Sequence, residues 1–252
     1  MTSIILCGCG GRMGKAITEA AQNEYDIAAG VDVNASALSA ACNFPVYESI
    51  NDFAGKADVI VDFSHHSSLP ALLDYSQRTH TPLVVATTGH TESELEMMKK
   101  ASENTAIFFS GNFSIGINLI INLAKQAAKA LDMDFDVEII EKHHNKKLDA
   151  PSGTALMLAN AISEERSDTQ YVYDRHAVRK QRQSNEIGIH SVRGGTIVGE
   201  HEVIFAGANE VVTISHSAAS REIFATGALR AAAYMTKKTS GLYSMDDLIN
   251  GK

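Results

Sequence analysis

The sequence predicts an α/β protein: a doubly wound parallel sheet followed by a second, α+β domain. Three observations carry that expectation. Short apolar strands alternate with helical periodicity through the first 113 residues, a glycine cluster ends the first strand and opens the first helix, and the pattern turns β-rich well after Asn112.

The apolar run over residues 4–7 ends in glycines, a helix is expected over 13–23, and residues 27–31 read as a second strand, completing a βαβ unit. Residues 59–63 and 83–86 are almost wholly apolar, as strands buried on both faces require. Helices are expected over 69–79 and 92–104 and a strand over 107–109. An amphipathic helix over 117–130 follows, then a strand over 137–140, a helix from Pro151 and β-rich sequence to about residue 217. Residues 164–186 are polar and basic, which suits a mobile surface loop. A helix over 220–236 leads the chain back, so residues 1–113 with 222–252 are expected to form one domain and 114–221 the other.

At 252 residues and 44% hydrophobic content the chain can fill the cores of two modest domains. A net charge of -8 argues against a nucleic-acid-binding surface and points to a small-molecule partner. Cys7, Cys9 and Cys42 are odd in number and lack metal-ligand spacing, so neither a disulfide framework nor a metal site is expected. The N-terminus lacks a signal-peptide pattern, and no apolar run approaches the roughly 18 residues of a membrane span, so the expected location is the cytoplasm.

The glycine loop runs Gly8-Cys9-Gly10-Gly11-Arg12-Met13-Gly14. Met13 takes the third-glycine place of the common GxGxxG pattern, so GxxGxxG, with Gly8, Gly11 and Gly14, describes it better. Strand before and helix after are what a pyrophosphate needs to sit on backbone N–H groups, and Asp32, 18 residues past Gly14, stands where a carboxylate binds ribose hydroxyls. A strand-to-helix turn with no ligand is the plainer alternative. Cys7 and Cys9 read as strand and loop fillers.

The segment from Glu141 to Ala155, EKHHNKKLDAPSGTA, sets proton donors beside an anion cradle. Pro151 suits the first helical position, and Ser152, Gly153 and Thr154 would present N–H groups and hydroxyls to a carboxylate. His143, His144 and Lys147 supply a proton and positive charge, although adjacent histidines and lysines also make solvated turns.

This segment resembles the E-x-H-H-x-x-K-x-D-A-P-S-G-T-A signature of the dihydrodipicolinate reductases, and Arg12-Met13-Gly14 resembles that family's nucleotide motif. Asp62-Phe63-Ser64, Thr87-Thr88-Gly89, Asn112-Phe113-Ser114-Ile115-Gly116, Val198-Gly199-Glu200-His201 and Ser220-Arg221 resemble further family segments in the expected order. The resemblance implies a Rossmann-like first domain, a second domain for substrate binding and oligomerisation, and an NADH- or NADPH-dependent reduction of 4-hydroxy-tetrahydrodipicolinate in lysine and diaminopimelate biosynthesis. It implies that Gly8, Gly11, Arg12, Met13, Gly14 and Asp32 hold the nucleotide, with Phe63, Thr87, Thr88, Gly89, Gly111, Asn112 and Phe113 at the nicotinamide end. His143 would donate the proton with Lys147 as its cationic partner, while His144, Ser152, Gly153 and Thr154 would clamp a dicarboxylate. A homotetramer assembled through the second domain is also implied.

Many family members carry a basic residue just after the acidic ribose ligand; here Val33 and Asn34 stand there, which favours NADH or dual use, with Arg12 and Lys15 as partial compensation. No catalytic role is assigned to His65 or His66, and His201 and His216 read as structural or interface residues. A phosphorylating semialdehyde dehydrogenase is disfavoured because all three cysteines lie within the first 42 residues. A dinucleotide sensor without turnover is the rival from a different class.

Overall fold

The computed structural model describes residues 1–22 and 24–251, and it divides into two compact units, Met1–Ile115 with Glu222–Lys252, and Gly116–Arg221. In the first unit the elements are β1 (Thr2–Cys7), α1 (Arg12–Ala20), β2 (Tyr25–Val31), α2 (Ala35–Leu38), β3 (Val46–Tyr47), β4 (Val59–Asp62), α3 (Leu69–Thr79), β5 (Leu83–Val85), α4 (Glu92–Ala101) and β6 (Ala106–Phe109). α5 (Ile115–Leu131), β7 (Asp136–His143), α6 (Gly153–Ser163), β8 (Gln170–Val172), β9 (Glu186–Arg193), β10 (Gly199–Ala206) and β11 (Val211–Ala218) build the second. α7 (Glu222–Met235), β12 (Gly241–Tyr243) and α8 (Met245–Asn250) return to the first.

The first sheet is parallel throughout, in the order β12-β6-β5-β4-β1-β2-β3. This is the predicted Rossmann-like doubly wound arrangement. Strand alternation divides its apolar residues between two cores. Ile4, Leu6, Val59, Val61 and Phe108 face the core shared with α1 and α7; Ile5, Ile60, Leu83, Val85 and Ile107 face the one shared with α3 and α4. The chain winds in both directions from β1, which pairs with both β2 and β4, so the loops after these strands meet at a topological switch point.

The second sheet is mixed, β11-β10-β7-β9-β8, antiparallel at its β11 side and parallel at its β8 side. Its register aligns residues into rows on the face that α5 and α6 cover. Val212, Phe205, Val137 and Ile187 form one row and Ile214, Val203, Ile139 and Ile189 the next, all part of one apolar core. The following row is His216, His201, Glu141 and Ser191, and beyond it His143 lies opposite Arg193. The sheet is thus greasy over most of one face and polar at one end of it.

Several elements differ from expectation. α1 and α4 stop three residues short of their predicted ends, and Asn23, the predicted end of the first helix, lies outside the described residues. β3, β12 and α8 carry too little apolar periodicity to be seen in the sequence. Residues 164–186 are not the free loop expected: they include edge strand β8, paired to β9. Arg175 and Lys180 pair with buried Glu186 at 2.7 and 2.8 Å, and Arg182 with Asp136 at 2.5 Å. Basic residues that look solvated in sequence have their acids on other strands. Among the described residues no helix is long and apolar enough to cross a membrane.

α7 lies against α1 and beneath β4, β5 and β6, and its buried face is built from small residues, Ala225, Gly227, Ala228, Ala231 and Ala232. A Cβ on Gly227 would collide with the Phe113 carbonyl. Gly227→Ala is expected to destabilise by about 1–3 kcal/mol, the range for overpacking. Urea unfolding measures it, and an unchanged midpoint would show that α7 can shift without cost.

Candidate functional site

In the first unit the glycine loop is shaped by close approach. Gly8 has φ +76°, and a Cβ there would stand 2.6 Å from the Phe63 carbonyl oxygen. A Cβ on Gly14 would collide with the Gly8 carbonyl, so α1 can begin this close to the loop only with glycine there. Gly11 is the N-cap of α1 and, having no side chain, leaves the helix start open. At Gly10, passed over in the GxxGxxG reading, a Cβ would press on the Leu38 side chain, and its N–H donates to Asp32 Oδ2 at 3.1 Å. The carboxylate that follows β2 is thereby fastened to the loop.

A cavity of about 570 Å³ opens over this loop, lined by Gly8, Gly10, Gly11, Asp32, Glu48 and Phe63 among others. Among the described residues no lysine or arginine lines it. Arg12 is exposed at the first turn of α1, Met13 is half-buried and Gly14 buried, all outside the cavity lining. The remaining predicted residues follow neighbouring strands: Phe63 after β4, Thr87, Thr88 and Gly89 after β5, Gly111, Asn112 and Phe113 after β6. Thr88, Gly89 and Gly111 are exposed, whereas Phe113 is buried with its ring 6.1 Å from that of Phe63.

Thr87 is buried and donates to Asp62 Oδ2 at 3.2 Å, while its oxygen lies 2.9 Å from His90 Nε2. Asp62 also accepts from the N–H and hydroxyl of Ser64 at 3.0 and 2.5 Å. Burial pushes its carboxyl up, and these hydrogen bonds oppose that. His66 pairs with Glu94 at 2.9 Å and so fastens the start of α3 to α4, a structural role. His90 carries no recognisable motif in sequence, whereas Asp62 belongs to the Asp62-Phe63-Ser64 segment already singled out there.

In the second unit the polar end of the sheet gathers a second cluster. His143 Nδ1 lies 2.6 Å from Glu141 Oε2, and the fully buried Glu141 accepts two bonds from Arg193, 2.8 Å from Nη1 and 2.6 Å from Nη2. A further bond, 3.1 Å, comes from the Ser152 N–H. Burial alone would raise the Glu141 carboxyl; Arg193, Ser191 and His143 together bring it down to about 2. His143 is pushed below its ordinary value, chiefly by burial and against the pull of Glu141.

Ser152 is the N-cap of α6. Its hydroxyl accepts from the Ala155 N–H at 3.2 Å, lies 3.0 Å from His201 Nε2 and is turned inward. Gly153 and Thr154 therefore occupy the first two helical positions. Pro151, expected at the first of these, instead precedes the N-cap after a cis peptide bond, because Ser152 takes up the capping geometry. Lys147 extends from the turn after β7 to Asp149 at 2.9 Å, and His144 Nε2 lies 3.3 Å from Arg221 Nη2. The ring of His201, read as structural or interfacial, is 5.2 Å from that of His143 and 5% exposed. Glu141, Arg193 and His201 are brought together only by strand register.

Two family models cover nearly the whole chain: "Dihydrodipicolinate reductase, N-terminus" matches residues 2–113 and "Dihydrodipicolinate reductase, C-terminus" residues 116–249. The chain belongs to the dihydrodipicolinate reductase family. It is 51% identical over 252 residues to a 4-hydroxy-tetrahydrodipicolinate reductase of Caldanaerobacter subterraneus subsp. tengcongensis, spanning 99% of this chain and 98% of the relative. It is 47% identical to that of Clostridium novyi across the whole of both chains. Among solved structures, a dipicolinate-bound dihydrodipicolinate reductase from Paenisporosarcina sp. TG-14 matches with a TM-score of 0.79 at 26% identity, over 97% of each chain. The family makes this chain an oxidoreductase, and its first unit a dinucleotide-binding one.

The buried ionisable groups make stability fall in acid in two steps. Burial, reinforced by the neighbouring His143, holds His201 neutral down to about pH 4, whereas an unfolded histidine takes a proton near pH 6.5, so stability is lost as the pH falls between those values. Glu141 stays ionised to about pH 2 against an ordinary 4.5, so its contribution is present above 4.5 and lost below, towards 2. His201→Gln is expected to flatten the pH dependence of unfolding free energy between pH 6.5 and 4 by on the order of 2–3 kcal/mol. Urea titrations across that range measure the slope; equal slopes in both proteins would remove His201 as its source.

Proposed function

We propose that this chain reduces 4-hydroxy-tetrahydrodipicolinate, by way of dihydrodipicolinate, to tetrahydrodipicolinate, with NADH or NADPH as reductant, in the route to lysine and diaminopimelate. The observation that carries this reading is the cluster at the polar end of the second sheet. A buried, carboxylate-bound imidazole stands beside the start of a helix and a lysine, which is what a dicarboxylate that must be protonated requires.

The fit to a dinucleotide rests on the loop of glycines where a Cβ would collide, the cavity above it and Asp32 at its rim. Gly8, Gly11, Arg12, Met13 and Gly14 would hold the pyrophosphate on backbone N–H groups, and Asp32 would accept from ribose hydroxyls. Phe63, Thr87, Thr88, Gly89, Gly111, Asn112 and Phe113 would shape the nicotinamide end. When bound, the reduced nicotinamide supplies the hydride.

This chain's own residues supply position and proton. The N–H groups of Gly153 and Thr154, with the Thr154 hydroxyl, would take one carboxylate; Lys147 and His144 would take the other; Ser152 would keep the helix start in place. Lys147 would exchange Asp149 for the substrate. His143 would give its Nε2 proton to the ring nitrogen. A dianion arriving beside an imidazole held below its ordinary value favours the imidazolium, so substrate binding would itself load the donor. The open face of the second sheet, with Val211, Thr213, Ser215 and Ser217 along its outer strand, would join copies into a homotetramer.

Oxidation of NADH in the presence of freshly generated substrate tests the activity, and its absence in the folded protein would favour a sensor. His143→Gln is expected to lower kcat by about 10²–10⁴-fold with little change in KM for NADH. Wild-type turnover in a folded variant would take His143 out of the mechanism.

Cofactor choice follows from charge. Among the described residues the cavity carries Asp32 and Glu48 against no lysine or arginine, so a 2′-phosphate would meet repulsion, and NADH is expected to serve at least as well as NADPH. Val33 is 84% exposed and replaceable without repacking. Val33→Arg is expected to raise kcat/KM for NADPH by roughly tenfold to a hundredfold, matching a charge-assisted hydrogen bond of about 1.5–3 kcal/mol. Steady-state kinetics with both cofactors decide; a wild type strongly preferring NADPH would show that Arg12 and Lys15 outweigh the cavity's carboxylates.

A further inference from the structure

We propose that Glu141, locked by Arg193, is a positioning residue that dictates which nitrogen of His143 carries the transferable proton. This rests on the reading of His143 as the proton donor. An imidazole has two nitrogens, and a donor is useful only when the proton it gives away sits on the one that faces its acceptor. An ionised carboxylate can only accept, so Nδ1, 2.6 Å from Glu141, keeps its proton whether the ring is neutral or charged. All gain and loss is confined to Nε2. That nitrogen points over Gly199, where a Cβ would stand 3.2 Å away; the glycine leaves room beside it.

The device works only while Glu141 stays ionised, and three donors see to that. Arg193 Nη2 and the Ser152 N–H donate to Oε1, and Arg193 Nη1 donates to Oε2, the oxygen it shares with His143. A protonated Glu141 would itself become a donor, and Nδ1 would then have to accept, turning the ring's remaining proton to Nε2. His201 shows the contrast. It is buried on the adjacent strand and bonds the Ser152 hydroxyl rather than a carboxylate, and burial with the neighbouring His143 outweighs the distant pull of Glu141 on its imidazolium. The charged and titratable groups around His143 are Glu141 and Lys147 from β7 and its following turn, Arg193 from β9 and His201 from β10; α6 brings no ionisable side chain. Glu141 is the negative one among them, so the ring's hold on a proton depends on it.

The ring nitrogen shifts of ¹⁵N-histidine-labelled wild-type protein read the tautomer directly, with no substrate present. Neutral His143 is expected to be protonated at Nδ1 and bare at Nε2, and the reverse would overturn the proposal. In kinetics, Glu141→Gln is expected to lower kcat by about 10- to 100-fold, leave KM for NADH unchanged, and move the alkaline fall of kcat to lower pH, because the imidazolium loses its counter-charge. The double variant Glu141→Gln with Arg193→Gln leaves no charge buried alone and is expected to show the same displaced limb if the single variant does not fold. A wild-type pH profile in either variant would sink the positioning role. Its failure is separable from that of the donor reading: normal turnover in His143→Gln refutes the donor, whereas a dead His143→Gln beside an unshifted Glu141→Gln refutes only the positioning. If neither variant folds, the wild-type tautomer decides.

Discussion

A carboxylate with no exposed surface has to be surrounded by donors, and much of the second unit is arranged around meeting that need for Glu141. Arg193 comes from β9, the Ser152 N–H from the start of α6 and His143 from the same strand two residues on. Stripping water from an unpaired charge costs several kcal/mol, and removing one partner of such a pair typically costs about 3–5 kcal/mol. The three elements are therefore held to one another by a requirement much stricter than apolar contact. The two apolar rows beside them supply bulk stability; the polar row supplies uniqueness of register, since a one-residue slip of β7 would turn Glu141 to the uncovered face.

The first unit reaches its geometry by a different route. Its loop is defined by what is missing: side chains at Gly8, Gly10 and Gly14 would each meet a neighbour. Asp32 then joins loop to strand with a bond to Gly10 and another, 3.0 Å, to the Asn34 N–H. One unit is shaped by steric exclusion and the other by charge satisfaction, which suits the contents proposed for them. A pyrophosphate is best met by bare backbone N–H groups, and a proton transfer by a side chain whose neighbours set its charge.

Legibility in the sequence tracks how local each signal is. The glycine loop, the strand alternation of 59–63 and 83–86, and the Glu141–Ala155 segment are contiguous, so periodicity and resemblance both found them. Within that segment His143, Lys147 and the Ser152–Thr154 helix start were visible, but Glu141 stood there without a role because its partner Arg193 lies 52 residues on. His201 reads as structural in sequence for the same reason, its neighbour Ser152 being 49 residues away. The loop of 164–186 looked mobile because Glu138 and Asp136, which its arginines grip, belong to β7. Short elements such as β12 are defined by a neighbour's open edge, which no local pattern announces.

The return of α7, β12 and α8 to the first unit bears on how the chain is made. The second unit is continuous in sequence and complete at Arg221, so on a ribosome it has every element it needs before the first unit does. The first unit must wait with one core uncovered, because Ala228, Leu229, Ala232 and Met235 belong to the same apolar cluster as Ile4, Leu6 and Val61. Contacts between strands near the start and a helix more than 200 residues later close a very long loop, a step that topology makes slow. A nascent chain that stalls before residue 222 would therefore present one finished globule and one half-covered sheet, whose apolar underside is the surface a chaperone would recognise.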